Sequence, residues 1–415
     1  MIQRKQVLRA VVLTLVLSAL SLSVMAQEGE TVVRTGFRPD APPYGVRGSH
    51  PVGARDLVIG GDTPLDITVW YPALNEDHLE EAIIYPYTLK MDTPPGMTAT
   101  IAGHAISEAP FALSEHPYPL VILSTGFAMG RTAYAWLAEH LASYGFVVIA
   151  PEHHERYDPT TSNFWRADIT RPQEIQTVLA YVDEQVGAGG TFEGLINAQV
   201  VAVVGHSSGG YTALAAAGAQ LNMDAMEARC DGAREAGDPN VWLCDLLLPY
   251  VAEMAELAGL DAIPEGLWPA WSDPRIDAIV PMADEAYKFG EEGLAQVTVP
   301  VMAMGATLDS GSPYLWGTPL TYEHVSSTTK ALVAFENAEH MIFSSTCEAL
   351  PLYAEIGFYQ LCSDHVWDMD RAHDLINHFT TAFLLAELYQ DADAAAALSP
   401  AAVHFPGVTY EAQGF

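Results

Sequence analysis

The chain has 415 residues, half of them hydrophobic and 17% charged, with 18 basic residues against 52 acidic ones and a formal net charge of −34. Such a length supports a large buried core, and such a hydrophobic share excludes an intrinsically disordered chain. The acidity repels phosphate backbones and anionic membranes, which excludes nucleic acid as a partner and reads as a solubility device.

The first residues decide the compartment. Arg4, Lys5 and Arg9 precede an apolar run from Ala10 to Leu22, and Val24-Met25-Ala26 offers small residues before a cut. A basic region, an apolar core and a cleavage site in that order predict a secretory signal peptide over residues 1–26. The competing reading, a retained membrane anchor, is disfavoured by the polar Gln27-Glu28-Gly29-Glu30 that follows at once. The mature product is therefore expected in the periplasm or outside the cell, without stable membrane insertion. Four cysteines in an exported chain suggest two disulfides. Of three possible pairings, the local one, Cys230–Cys244 and Cys347–Cys362, closes two short loops and is preferred. Neither pair has metal-site spacing with a neighbouring histidine, so no metal is expected.

Residues 27–55 read as an N-terminal extension. Then strand-like and helix-like segments alternate. Leu65–Tyr71 alternates in polarity and ends at Pro72, as an outer strand does. Tyr118–Ser124, Phe146–Ala150 and Val200–Val204 are apolar runs suited to strands covered on both faces. Between them, Thr132–Ser143 and Pro172–Val186 predict helices, the second with its proline in the first turn, where a missing donor costs nothing. Tyr211–Leu221 predicts a small-residue helix. Ile276–Met282, Val299–Met304 and Lys330–Phe335 follow as strands, then a helix over Arg371–Tyr389. This alternation implies an α/β fold with a mostly parallel sheet and helices on both faces. Residues 222–273 break the rhythm with Cys230, Cys244, Trp242, Trp268 and Trp271, and are predicted to form a cap-like insertion. The core is thus expected over 56–221 and 274–390, with a tail over 391–415.

Gly205-His206-Ser207-Ser208-Gly209-Gly210 carries the sharpest signal. It directly follows an apolar strand and opens a helix, the context that makes G-x-S-x-G a nucleophile elbow. A serine there needs a base within hydrogen-bond reach and an acid behind that base. His340, in the polar loop Glu336-Asn337-Ala338-Glu339-His340 just after the last predicted strand, is the expected base. Asp309 ends the strand that begins at Val299 and runs into a turn, which makes it the favoured acid; Asp284, at the end of the preceding strand, is the alternative. The oxyanion donors are expected from the backbone N–H groups of Ser208 and of Phe127, in the loop Ser124-Thr125-Gly126-Phe127. Phe127, His206, Trp268 and Trp271 are the residues expected to line a bound substrate.

These segments resemble bacterial dienelactone-hydrolase-like proteins, relatives of platelet-activating factor acetylhydrolase. The resemblance runs from Val69-Trp70-Tyr71-Pro72-Ala73, through Pro119–Gly126, Gly145–Pro151 and the elbow, to Asn337-Ala338-Glu339-His340-Met341. It implies an α/β-hydrolase fold and serine-esterase chemistry. Thr125 stands where the family's loop usually carries histidine, and the nucleophile is serine where the dienelactone name implies cysteine. The acetylhydrolase branch resembles a version with its acid after the earlier strand, which keeps Asp284 in play. The Gly126-Phe127 step, the Asp309 turn and the spacing to His340 also resemble cutinase-type polyester hydrolases, in which an aromatic at the Phe127 position lines the acyl site.

The expected activity is hydrolysis of a carboxylic ester through Ser207, His340 and Asp309, with an acyl-enzyme and no cofactor. Short-chain esters, oxidised phospholipids, phthalates and polyesters all fit as substrates. Acyl transfer to another acceptor would use the same residues, and an inactive binding protein on the same fold is a further alternative. Oligomeric state is not legible in the sequence.

Overall fold

A computed structural model describes residues 36–91, 99–158, 160 and 162–415. The predicted signal peptide lies outside the described residues. Ten strands form one sheet in the order β12-β11-β10-β9-β8-β6-β7-β2-β1-β5. They are β1 (Val52–Ile59), β2 (Leu65–Pro72), β5 (Ile106–Ser107), β6 (Tyr118–Ser124), β7 (Val147–Pro151), β8 (Ile196–His206), β9 (Ile276–Met282), β10 (Val301–Ala306), β11 (Lys330–Phe335) and β12 (Val408–Gln413). β3 (Ile83–Tyr87) and β4 (Ala99–Gly103) pair separately as a small antiparallel sheet.

From β7 to β11 the sheet is parallel, and its strands are apolar on both sides. Leu120 and Ile122 of β6 enter one core and Val121 and Leu123 the other; β8 divides in the same way, Val201 and Val203 against Ala202 and Val204. Successive side chains leave opposite faces of a strand, so an unbroken apolar run feeds two cores at once. Helices α2 (Ala167–Gln185), α3 (Ser208–Ala216) and α4 (Met223–Ala236) cover the first core, and α1 (Ala135–Ser143) and the long helix α5 (Met369–Tyr389) cover the second. This is the α/β-hydrolase fold. β6 lies between β7 and β8, so the chain reverses direction across the sheet there. Loops at the carboxyl ends of strands diverge at such a reversal and leave a crevice.

Several boundaries differ from the sequence reading. β1 starts at Val52 and pairs antiparallel with β2, so the sheet begins inside the expected extension. Segment 391–415 is not a tail: it supplies a short helix, Ala392–Ala397, and β12, which pairs antiparallel with β11 and closes that sheet edge. Both disulfides form as expected.

Helix α2 begins at Ala167, five residues before Pro172, so the proline sits inside the helix. Its missing N–H leaves the Asp168 carbonyl without the usual helical donor. The Tyr211 hydroxyl, from α3, donates to that carbonyl at 2.8 Å and replaces it.

The insertion 222–273 is helical and packs into the first core through Met226, Cys230, Cys244 and Met254. It meets the loops that follow β7, β9 and β10 at the carboxyl end of the sheet, where the Asn222 N–H donates to the Lys288 carbonyl at 3.1 Å. The Tyr250 ring stacks on Trp165, and the Arg229 guanidinium lies over Trp316, whose indole N–H donates to Asp238. Among the described residues none of its hydrogen bonds, ion pairs or ring contacts reaches Ser207, Asp309 or His340.

Candidate active site

β8 ends at His206 and α3 begins at Ser208, leaving Ser207 at the apex with φ 59° and ψ −122°. A side chain in that region is strained by about 1–3 kcal/mol, which the surroundings must hold. They do so by close approach. A Cβ on Gly205 would lie 2.2 Å from the Gly209 carbonyl oxygen, and one on Gly209 would lie 2.0 Å from that of Ser124. Only glycine permits the turn at either position. The Ser207 N–H donates to the Met282 carbonyl at 2.8 Å, tying the apex to β9.

Asp309 stands three residues beyond β10. One carboxylate oxygen accepts from the N–H groups of Gly311 at 2.8 Å and Ser312 at 2.6 Å, and the other accepts from His340 Nδ1 at 2.8 Å. Occupying Nδ1 with a proton leaves Nε2 as the basic nitrogen. Burial works against charging His340, but the Asp309 charge and hydrogen bond outweigh it, and the imidazole is pushed above its ordinary value. His340 rides a short turn after β11, the neighbour of β10, which is why its loop meets the Asp309 turn. The Glu339 carboxylate clips the two loops together by accepting from the N–H and the hydroxyl of Ser310, at 3.0 and 2.9 Å.

His206, the chain neighbour of Ser207, packs against this pair. Its Nε2 donates to the His340 carbonyl at 3.0 Å, and its ring lies 4.5 Å from the His340 ring. Its Nδ1 therefore accepts, and the Tyr134 hydroxyl supplies the proton at 2.6 Å. Burial, reinforced by His340 nearby, pushes His206 well below the usual histidine value, so it stays neutral. Ser207 Oγ makes no hydrogen bond among the described residues. Catalytic hydrogen bonds are often long without substrate and tighten in the complex.

Neither the Phe127 nor the Ser208 N–H has an acceptor among the described residues. Phe127 is half-buried, and its ring lies 4.8 Å from that of Phe164, in the turn before α2. The carbonyls of Thr125 and Gly126 accept from buried Arg171. The Ser208 hydroxyl donates to Glu285 at 3.2 Å, and Lys288 Nζ bridges Glu285 to Asp168, all of them buried.

Not every expected residue arrives at the site. Asp284 is buried against Thr321 and Ala286, at 3.0 Å from each, and makes no bond to His340. Trp268 is fully enclosed in the core, its backbone N–H on the Leu221 carbonyl, so it is packing and not a substrate wall. Trp271 packs against the same core and offers its carbonyl to Gln176 of α2. His206 is a brace inside the elbow and not a substrate contact. The sequence reading missed Tyr134, Phe164 and Arg171, which reach the site from distant segments, and Glu339, which directly precedes His340. A cleft of about 730 Å³ opens beside His340, between Ser310, Glu339, Tyr359 and His365.

A family model described as chlorophyllase matches residues 109–228, from before β6 through the elbow. The cutinase est1 of Thermobifida alba is 24% identical over 238 residues, covering 57% of this chain and 58% of that protein. A bis(hydroxyethyl) terephthalate hydrolase of Streptomyces coelicolor is 24% identical over 216 residues, 52% of this chain and 62% of that protein. The cutinase est2 of Thermobifida alba is 32% identical over 93 residues, 22% of this chain and 28% of that protein. The matched stretch thus spans about three-fifths of the length of the first two relatives.

Proposed function

We propose that this chain, an α/β-hydrolase with cutinase-like features, is an exported serine esterase that cleaves carboxylic esters through Ser207, His340 and Asp309. The observation that carries this reading is the 2.8 Å bond from His340 Nδ1 to a carboxylate held by two backbone N–H groups, with His206, the chain neighbour of the strained Ser207, packed on the His340 ring. The two disulfides support export, since such bonds persist in oxidising compartments.

In the reaction His340 Nε2 accepts the Ser207 proton as Oγ attacks the ester carbonyl carbon. The N–H groups of Phe127 and Ser208 hold the oxyanion that forms. Collapse of the tetrahedral intermediate breaks the ester C–O bond, and His340 returns the proton to the departing alcohol. A water then gives a proton to His340 as its oxygen adds to the acyl carbonyl; collapse breaks the acyl C–Oγ bond, His340 returns the proton to Ser207, and the carboxylic acid leaves. Asp309 keeps the imidazole in the required tautomer and stabilises its charged form. The paired rings of Phe127 and Phe164 favour an apolar or aromatic group beside the carbonyl.

Ser207→Ala should lower p-nitrophenyl butyrate turnover by about 10⁶-fold, the scale seen when a triad nucleophile is removed. A variant that keeps wild-type turnover would refute the assignment.

A further inference from the structure

We infer that Arg171, ion-paired with Glu155, is the positioning residue of the oxyanion hole: it fixes the peptide unit that carries the Phe127 N–H. This inference rests on the serine-esterase reading above. A trans peptide is planar, and its C=O and N–H point in opposite directions. The Phe127 N–H therefore aims where the Gly126 carbonyl does not. Arg171 Nη2 donates to the Gly126 oxygen at 3.0 Å and Nη1 to the Thr125 oxygen at 2.5 Å, so one guanidinium holds two consecutive peptide units. The Met129 N–H also donates to the Gly126 oxygen, at 3.1 Å, closing the turn around the donor.

The peptide unit on the other side is held by the same pair. Glu155 Oε1 accepts from the Ala128 N–H at 2.6 Å, while Glu155 Oε2 accepts from Arg171 Nε at 2.9 Å. Ala128 sits at φ 55°, a conformation that a non-glycine residue keeps only under restraint. Both peptide planes flanking Phe127 are thus tied to one buried ion pair. Arg171 is fully buried and lies in the part of α2 that precedes Pro172.

Stability alone is a poor reason for this arrangement. Burying an arginine and a glutamate is costly, and well-packed apolar residues commonly do as well or better. A planar guanidinium that grips two carbonyls supplies orientation, which a hydrophobic plug does not. Pre-set donors are what oxyanion stabilisation requires, because they cost no rearrangement at the moment of reaction.

The test compares Arg171→Met, Arg171→Lys and Glu155→Gln in the full chain. It uses p-nitrophenyl butyrate and an aryl trifluoromethyl ketone, whose hemiketal with the serine places an oxyanion in the hole. Arg171→Met should lower kcat about 10²-fold with KM changed less than about threefold, and should raise the ketone Ki by the same factor as kcat/KM falls. Arg171→Lys should recover part of the loss, since an ammonium can hold one carbonyl but not the fork. If Arg171→Met fails to melt cooperatively, Glu155→Gln becomes the test, with about a tenfold loss and the same parallel rise in Ki. A folded Arg171→Met or Glu155→Gln with wild-type kcat, or a fall in kcat with unchanged ketone Ki, would overturn the inference. If Ser207→Ala is inactive in the same assay, that result leaves the esterase reading intact; if Ser207→Ala is active, both fall.

Discussion

Asp309 and Asp284 end neighbouring parallel strands, and both are buried. Their surroundings make them opposites. Asp309 has backbone N–H groups on one oxygen and an imidazole on the other. Asp284 shares one oxygen between Ala286 and Thr321, and its other oxygen is buried without a partner among the described residues. Burial pushes its pKa up to about 7, against an ordinary 3.8. A carboxylate's height in the sheet is therefore a property of the fold, while its use depends on the loop across from it. The loop after β11 lands beside β10, its neighbour, and so meets Asp309.

Kinetics offers the widest separation of the two acids. Asp309→Asn should lower kcat about 10⁴-fold, as a triad with the wrong tautomer does. Asp284→Asn should stay within about threefold, since it touches none of the reacting groups. Steady-state assays on p-nitrophenyl butyrate measure both, and a reversed order would hand the role to Asp284.

The pH profile sharpens the contrast. His340 must be neutral to act as base, and Asp309 raises its pKa. Activity in kcat/KM should therefore fall tenfold per unit on the acid side, with a midpoint above 6.5, the ordinary histidine value. The residual activity of Asp309→Asn should titrate at lower pH, while Asp284→Asn should leave the midpoint unmoved. A midpoint that follows Asp284 instead would break the comparison.

The smallest effect belongs to stability. Asp284 holds its proton more tightly folded than unfolded, because its folded pKa is the higher one. Its contribution is thus fully present below about 3.8 and is lost as pH rises through about 7. Between pH 5 and 8 the wild type should lose more in melting temperature than Asp284→Asn does, by a few degrees. Parallel melting curves across that range would contradict the account.

Much of this contrast was legible in the sequence, and the rest has physical reasons for being hidden. The elbow is local: strand, tight turn and helix lie within a dozen residues, and glycine is required where backbones touch. The β10 and β11 ends were visible as apolar runs meeting polar loops, so Asp309 and His340 could be named. What the chain order concealed was pairing across the fold. Arg171 reads as one more charge near a proline, and the helix seemed to start at Pro172. Its true first turns stand upstream because Tyr211 serves the carbonyl that the proline cannot. Trp268 looked like a substrate wall, and nothing in its neighbours announces that it is sealed into the core. β12 escaped notice because its half-exposed alternation is that of an edge strand, in a segment read as a tail.

Mapping a covalent adduct puts the whole account at risk in one experiment. Inactivation with diethyl p-nitrophenyl phosphate, followed by intact-mass and peptide analysis, should show one diethylphosphoryl group per chain, carried by Ser207. It should not form when His340 is replaced by alanine. A modification on another residue, or full labelling without His340, would contradict the assignment.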